Sequence, residues 1–312
     1  MVTGAGGFVG ANLVRRLLAD GHRVVALVRP GSRLWRLKDI GDEVEVVEVD
    51  LRDADAATGA LRTAAPNWVF HLATHGAYSS QRDTPRILAT NVLGTATLIE
   101  AALEAGVEAF VNAGSSSEYG YKNHAPDELE FVDPNSAYAV GKAAATMYCR
   151  QRALETDTHL VTLRLYSVYG PWEEPTRLVP TLALRGLAGE LPKLVDPAIA
   201  RDFVYVEDVI DAFVLAAMAD PPRGAVYNVG SGRQHTLAEV VDTLRLLLPI
   251  EAEPEWGSMP NRSWDTGTWV ADASRIARDL GWSAVTDFTT GLGATIEWLD
   301  ASAERRAFYA RR

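Results

Sequence analysis

Apolar residues along this chain alternate between short unbroken runs and stripes at three- and four-residue spacing, a rhythm that predicts strands separated by helices. The runs at 23–28, 109–113 and 159–165 are nearly continuous, as befits strands buried on both faces of a parallel sheet. Between them Leu13, Leu17 and Leu18 share one face of a helix ending near Gly21, a short helix covers 54–64, and a long one runs from about 86 to 105. Strands at 44–50 and 68–73 keep the alternation going. Repetition of this kind builds an α/β fold around a doubly wound parallel sheet.

After Leu165 the rhythm breaks. Tyr169-Gly170-Pro171-Trp172 opens a proline-rich connection reaching Pro197, and strand 201–206, helix 208–219 and strand 226–230 then resume the alternation. From about Ser231 the chain departs again into a helix over 237–248, a loop with Trp256, Arg262 and Trp264, and two closing helices near 273–280 and 292–301. Residues 1–167 plus 201–230 are therefore expected to form the sheet domain, and 168–200 plus 231–312 a smaller C-terminal lobe that binds substrate. Trp172, Trp256, Trp264 and Trp269 read first as core of that lobe and second as pocket lining. The chain has no internal repeat and no low-complexity segment.

Gly4, Gly7 and Gly10 stand three apart between the opening strand and the first helix, with Phe8 and Val9 in the turn. Glycines there let the backbone approach a pyrophosphate, which the free N–H groups and dipole of the helix N-terminus then hold. The sheet domain is thus expected to be a Rossmann-type dinucleotide-binding domain. The strand ahead of Gly4 is short, which suggests that the native chain starts a few residues earlier. The second strand ends Val28-Arg29-Pro30-Gly31-Ser32-Arg33, without the carboxylate that would bind the ribose 2′-hydroxyl of NAD. Arg29, with Ser32 close by, favours NADP(H), with NAD(H) as the alternative.

Tyr138-Ala139-Val140-Gly141-Lys142 puts a phenol and an ammonium one helical turn apart on one face, behind Ser136 as N-cap. A nearby cation favours the ionised phenol, so Lys142 is expected to draw Tyr138 down from about 10 toward neutrality and make it a proton-transfer group. The chain holds only four lysines, Lys38, Lys122, Lys142 and Lys193, amid abundant arginine. A lysine lends a proton where an arginine does not. Upstream, strand 109–113 opens into Ser115-Ser116-Ser117-Glu118-Tyr119-Gly120, hydroxyls that are costly to bury unpaired. His71 at its strand end reads as structural, whereas His75 and Tyr78 in the next loop stand where ligands bind, outside the carboxyl ends of the strands.

The 312 residues suffice for a large core, and a net charge of −11 argues against a nucleic-acid surface. The only basic excess, Arg305, Arg306, Arg311 and Arg312, reads as a solvated helix end. A single cysteine, Cys149, excludes an internal disulfide and a cysteine-rich metal site, and it reads as a small buried apolar residue. No metal is expected. With no apolar run near the roughly 20 residues of a membrane span and no signal peptide, the expected setting is cytoplasmic.

Thr3-Gly4-x-x-Gly7-x-x-Gly10, Asp50-Leu51, His71-Leu72-Ala73, Asn91-Val92-x-Gly94-Thr95, Tyr138-x-x-x-Lys142, Tyr169-Gly170-Pro171, Arg201-Asp202-Phe203-x-x-x-Glu207-Asp208 and Asn228-Val229-Gly230-x-Gly232 occur in that order. With them the sequence resembles, over nearly its whole length, the extended short-chain dehydrogenase/reductases that act on nucleotide sugars. The resemblance implies a triad of a hydroxyl, Tyr138 and Lys142; counting back from Tyr119-Gly120 makes Ser115 the hydroxyl and Ser116 the near alternative. It also implies cofactor contacts from the glycine turn and from Asp50 and Leu51 at the adenine. Leu72, Ala73, Thr74, Asn91 and Lys142 complete that implied set. Arg201 and Arg262 would hold the diphosphate of a nucleoside-diphosphate sugar, with His75, Tyr78, Ser117, Glu118 and Ser167 as further substrate contacts. Small residues Gly141, Ala143, Ala144 and Ala145 permit close packing, and in the resembled family this helix pairs with the 86–105 helix across a two-fold, which implies a homodimer.

Hydride transfer at a sugar carbon, most often C4, is the implied chemistry, with Tyr138 as acid or base. A dehydratase of this family usually carries a Glu two residues before the motif tyrosine. Here Ser117 holds that position and Glu118 is shifted by one, which turns a side chain to the other face. The Ser-Ser-Ser-Glu-Tyr-Gly pattern is similar to that of 4-keto-6-deoxysugar reductases. With Arg29 it tilts the expectation to NADPH-dependent reduction, with 4-epimerisation on a recycled cofactor as the alternative. Dehydration and a non-catalytic NADP-binding sensor rank lower. Ser167 stands where the family commonly has Asn, a departure at the diphosphate contact.

Overall fold

The computed structural model describes residues 1–78, 80–261 and 266–311. Strand β1 (Val2–Thr3) ends at Gly4, whose left-handed backbone (φ 66°) turns the chain into helix α1 (Phe8–Ala19). There follow β2 (Val25–Val28), β3 (Glu45–Glu48), α2 (Ala54–Ala64) and β4 (Trp68–His71). The predicted long helix is α3 (Thr84–Leu88), a π turn over Ala89–Leu93, and α4 (Gly94–Ala105). Next come β5 (Ala109–Ser115), α5 (Ala137–Glu155), β6 (His159–Leu165) and β7 (Ser167–Tyr169). The remainder is α6 (Leu178–Leu187), β8 (Ala200–Tyr205), α7 (Val206–Met218), β9 (Val226–Val229), β10 (Gln234–Thr236), α8 (Leu237–Leu247), α9 (Ser274–Leu280), α10 (Phe288–Asp300) and α11 (Ala303–Ala310).

Seven strands form one parallel sheet in the order β3-β2-β1-β4-β5-β6-β9. The winding direction reverses between β1 and β4, and a crevice opens at such a switch point beyond the carboxyl ends of the strands. One face of the sheet is sealed by Leu13, Val14, Leu17 and Phe213, the other by Leu61, Leu98, Ile99 and Cys149. Burial pushes the Cys149 thiol up to about 12, in keeping with an inert apolar filler. A third cluster around Tyr169, Leu182, Phe203, Val241 and Leu292 holds the smaller lobe together.

Strand β8 departs from expectation, because it belongs to a second sheet ordered β10-β8-β7 and not to the large one. Two things account for this: β9 pairs along β6 from Thr162 to Leu165, and the chain leaving β6 forms β7, a parallel partner for β8. The proline-rich connection also hides helix α6, which tolerates Pro180 in its first turn, where no intrahelical N–H bond is lost. The basic C-terminus is only partly a solvated end: the Arg305 guanidinium lies 4.1 Å from the Trp298 ring centroid, although Arg306 does pair with Asp300 near the surface. The segment Thr84–Ala105, 22 residues long, is long and apolar enough to cross a bilayer, against the sequence expectation. It packs on α2 and α5 and is a core helix of this fold.

Candidate active site

A cleft of about 1260 Å³ runs along the carboxyl edge of the large sheet, from the glycine turn to Arg201 and Trp269. Its first half fits a dinucleotide. A Cβ on Gly10 would stand 2.3 Å from the Gly4 carbonyl oxygen, and one on Gly4 2.7 Å from the Ala73 nitrogen, so only bare backbone fits where β1 meets α1. The N–H groups opening α1 are then left for a pyrophosphate. Phe8, Val9, Arg29, Ser32, Leu51, Leu72, Ala73 and Thr74 line the same stretch. Asp50 joins them, and the Arg52 guanidinium, donating to both its oxygens at 2.6–3.1 Å, holds its carboxyl down at about 2.

Asn91 does not line the cleft as expected. The π turn rotates it inward, where it is buried and clamps the loop after β4: its Oδ1 accepts from His75 N at 2.8 Å and Thr74 Oγ1 at 3.2 Å, and its Nδ2 donates to the His75 carbonyl at 2.8 Å. It therefore positions cofactor-side residues without touching the space a cofactor would fill. Gly141 of α5 lies against it, where a Cβ would come within 3.1 Å. His71 is structural, as expected. Thr95 Oγ1 donates to the Asn91 carbonyl and so accepts from His71 Nε2, while Thr3 Oγ1 faces Nδ1 at 2.7 Å. Burial, then the Lys142 charge, pushes this imidazole down to about 3, so it stays neutral.

Ser115, Tyr138 and Lys142 meet in the middle of the cleft. Ser115 ends β5 and its hydroxyl bonds the Ser117 hydroxyl at 2.8 Å. Ser136 caps α5 through Ala139 N at 3.2 Å, setting the turn that presents Tyr138. The electrostatics differ from expectation. Burial raises the Tyr138 phenol above its ordinary value, and the Ser115 hydroxyl, not Lys142, is the chief group drawing it down. Lys142 instead donates to the Ala113 carbonyl at 2.8 Å, and burial pushes its own ammonium down to about 8. Ser116 is turned elsewhere, its Oγ accepting from Trp269 Nε1 at 3.2 Å, which leaves Ser115 as the hydroxyl beside the phenol.

Glu118 also departs from expectation. It was expected to contact substrate, yet it is completely buried behind the site. Its Oε1 accepts from Ser115 N at 2.8 Å and Thr146 Oγ1 at 3.0 Å, and its Oε2 accepts from Arg164 Nε at 2.9 Å. Arg164 in turn donates to Tyr119 Oη, which donates to Asn228 Oδ1, both at 2.8 Å. This network fixes the end of β5.

Beyond the phenol the cleft is lined by His75, Tyr78, Ser117, Ser167 and Arg201. Arg201 donates to the Ala200 carbonyl at 2.7 Å and stacks 5.5 Å from the Trp269 ring centroid. Arg262 and Trp264 lie outside the described residues. Several functional-looking groups had no sequence signal. Arg36 ties the glycine turn to the second lobe, donating to the carbonyls of Gly6 at 3.3 Å and Trp172 at 2.7 Å and pairing with Glu174 at 3.0 Å. Glu173, Glu174, Arg177 and Trp269 also line the cleft. Of these only Trp269 carries a sequence signal, as a tryptophan that reads as pocket lining second to core.

A glycine cradle at the switch point of a doubly wound sheet, leading directly to a half-buried serine and tyrosine and a buried lysine, defines an oxidoreductase of the extended short-chain dehydrogenase/reductase class. More closely, the chain belongs to the NAD dependent epimerase/dehydratase family, whose family model matches residues 1–230. It is 36% identical over 308 residues to the UDP-glucose 4-epimerase of Mycolicibacterium smegmatis, covering 96% of this chain and 97% of that one. A dTDP-glucose 4,6-dehydratase of Streptomyces griseus is 30% identical, with 96% and 93% covered. The crystal structure of a UDP-glucose 4-epimerase with UDP-glucose from Thermotoga maritima superposes with a TM-score of 0.87 at 28% identity, over 96% of this chain and 98% of that chain. MoeE5 in complex with UDP-glucuronic acid and NAD gives 0.83 at 33% identity, again over 96% and 98%.

Proposed function

We propose that this enzyme transfers a hydride at C4 of a nucleoside-diphosphate hexose, with the outcome of 4-epimerisation. The observation that carries the reading is the Ser115, Tyr138 and Lys142 set adjoining the glycine cradle in one cleft. Bound there, a nicotinamide ring would accept and return the hydride. Tyr138 Oη takes the proton of the 4-hydroxyl and gives it back, and Ser115 Oγ donates a hydrogen bond to the same oxygen. Lys142, released from the Ala113 carbonyl toward the phenol, would lower its pKa where Ser115 alone leaves it high. Dehydration is disfavoured: the one carboxylate near the usual acid/base position, Glu118, is locked in its ion pair, and Ser117 occupies that position. The similarity to UDP-glucose 4-epimerases over nearly the full chain supports epimerisation among the remaining outcomes.

Reduction of a 4-keto sugar by NADPH is the second reading, favoured by the end of β2. Arg29 lines the cofactor half of the cleft, no acidic residue follows it there, and Arg52 stands near enough to act with Arg29 on Asp50. The Arg29→Asp variant should lose about tenfold in affinity for NADP⁺ and gain several-fold for NAD⁺, because a 2′-phosphate loses its charge-assisted partner. Unchanged Kd values by fluorescence titration would remove the NADP assignment. The reaction itself is decided by nicotinamide absorbance with product analysis. UDP-glucose or dTDP-glucose converted at C4 without net cofactor oxidation marks an epimerase. Stoichiometric NADPH oxidation by an NDP-4-keto-6-deoxysugar marks a reductase, and neither outcome in any nucleotide sugar tested sinks both readings.

The smaller lobe, in this reading, receives the sugar nucleotide, with Arg201 toward its diphosphate. The protein works in the cytoplasm, where nicotinamide and nucleotide-sugar pools meet, and as a homodimer. Val140, Met147 and Leu154, spaced seven apart, leave an exposed apolar stripe on α5, with Leu93 exposed on the neighbouring helical segment. A monomer mass in sedimentation at micromolar concentration would exclude the dimer.

A further inference from the structure

One carboxyl group in the cleft stands without a hydrogen-bond partner. Glu173 is only 5% exposed, yet it lines the same cleft as Tyr138 and Lys142. Its Oε2 is buried and unbonded, and its Oε1 comes no nearer to Arg177 Nε than 3.8 Å, beyond hydrogen-bond range. The backbone around it is held firmly. Tyr309 Oη donates to its carbonyl at 2.8 Å, its N–H donates to Gly170 O at 3.2 Å, and the carbonyl of Trp172 takes Arg36 Nε at 2.7 Å. Trp172 itself is kept left-handed, with φ 70°, a conformation uncommon for a bulky residue. Strain and an unpaired buried polar atom, both unfavourable for folding, thus coincide in the cleft that holds the reacting groups, and such features cluster at functional sites.

We propose that Glu173 is a sugar-recognition residue whose carboxyl group hydrogen-bonds a hydroxyl group of the hexose presented to Tyr138. The proposal rests on the nucleotide-sugar reading above. Arg177 acts electrostatically on both Tyr138 and Glu173, and Tyr78 interacts with both, so the carboxyl stands within electrostatic reach of the groups around the phenol. An ionised Glu173 would repel the diphosphate, which makes the uncharged sugar the better partner. A sugar hydroxyl both donates and accepts, so it satisfies the carboxyl in either protonation state. The charged and titratable groups around Glu173 are Arg177, Arg36, Glu174, Tyr78, Tyr169 and Tyr309.

The test is calorimetric titration of the cofactor-loaded, full-length protein with UDP-glucose and dTDP-glucose, and with UDP and dTDP alone. Wild type is compared with Glu173→Leu and Glu173→Gln. Leucine should weaken the better-bound sugar nucleotide about 10- to 30-fold, as loss of a hydrogen bond to a charged or polar group does, and leave the matching free nucleotide and the cofactor within about twofold. Glutamine should retain most of the sugar affinity. The leucine variant should melt at or above the wild-type temperature, because it removes an unpaired buried carboxyl, and this also shows that it is folded. An unchanged Kd for the sugar nucleotide, an equal loss for free nucleotide, or a loss of cofactor affinity would each overturn the role of Glu173 alone. A wild type that binds neither sugar nucleotide would overturn the nucleotide-sugar reading and this proposal with it.

Discussion

Tyr138→Phe should lower kcat by about a thousandfold or more, with the cofactor Kd within about threefold of wild type. General acid–base catalysis contributes typically 10²–10⁴-fold, and apart from Lys142, which donates to the Ala113 carbonyl, no other proton carrier is drawn to the phenol's position. The groups acting on Tyr138 are the Ser115 hydroxyl, Glu118, Arg177 and Tyr78. Glu118 is sealed behind β5, an arginine does not give up its proton, and burial raises the Tyr78 phenol above its ordinary value. Because the ring stays in place, α5 and its cap on Ser136 are undisturbed. The experiment is single-turnover product analysis with the substrate that wild type converts, beside a fluorescence titration of cofactor. Turnover within tenfold of wild type would transfer the proton to another group. A variant indistinguishable from wild type in every property would favour the non-catalytic sensor.

The glycine turn of the cleft was legible in the chain because its geometry demands bare backbone. A glycine is demanded wherever a Cβ would collide, as at Gly4 and Gly10, and such a demand shows as a residue type at fixed spacing. Tyr138 and Lys142 were legible for a similar reason, since helical geometry puts the fourth residue on the same face. Glu118 and Asn91 misled because a letter does not say which way its side chain turns. The short helix after β5 points Glu118 back to Arg164, 46 residues along the chain, and the π turn points Asn91 into the loop after β4. The Tyr138 pKa misled because Lys142 satisfies itself on the Ala113 carbonyl, a backbone atom invisible to side-chain spacing. Arg36 and Glu173 sit in stretches without regular pattern, and only the folding of the second lobe onto the glycine turn brings them to the cleft.

Arg164→Met should destabilise the protein by about 3–5 kcal/mol, the cost of stripping one partner from a buried ion pair. Glu118 is wholly inaccessible, so its carboxylate would have no route to water. The same change leaves Tyr119 Oη without its donor and removes a guanidinium 4.5 Å from the Tyr119 ring centroid. A fall in Tm on the order of 10 °C is expected. Pairing the change with Glu118→Gln should recover much of it, because the uncompensated charge disappears while the amide oxygen still accepts from Ser115 N. Activity gives the second readout. Glu118 Oε1 anchors the Ser115 backbone, and a carboxylate that shifts to escape burial carries the Ser115 hydroxyl away from Tyr138. At temperatures where the single variant is still folded, kcat should then fall about 10- to 100-fold, the scale expected for a displacement of about 1 Å. A melting temperature within 2 °C of wild type, as an order-of-magnitude threshold, would mean that the ion pair is dispensable and that something else holds the end of β5.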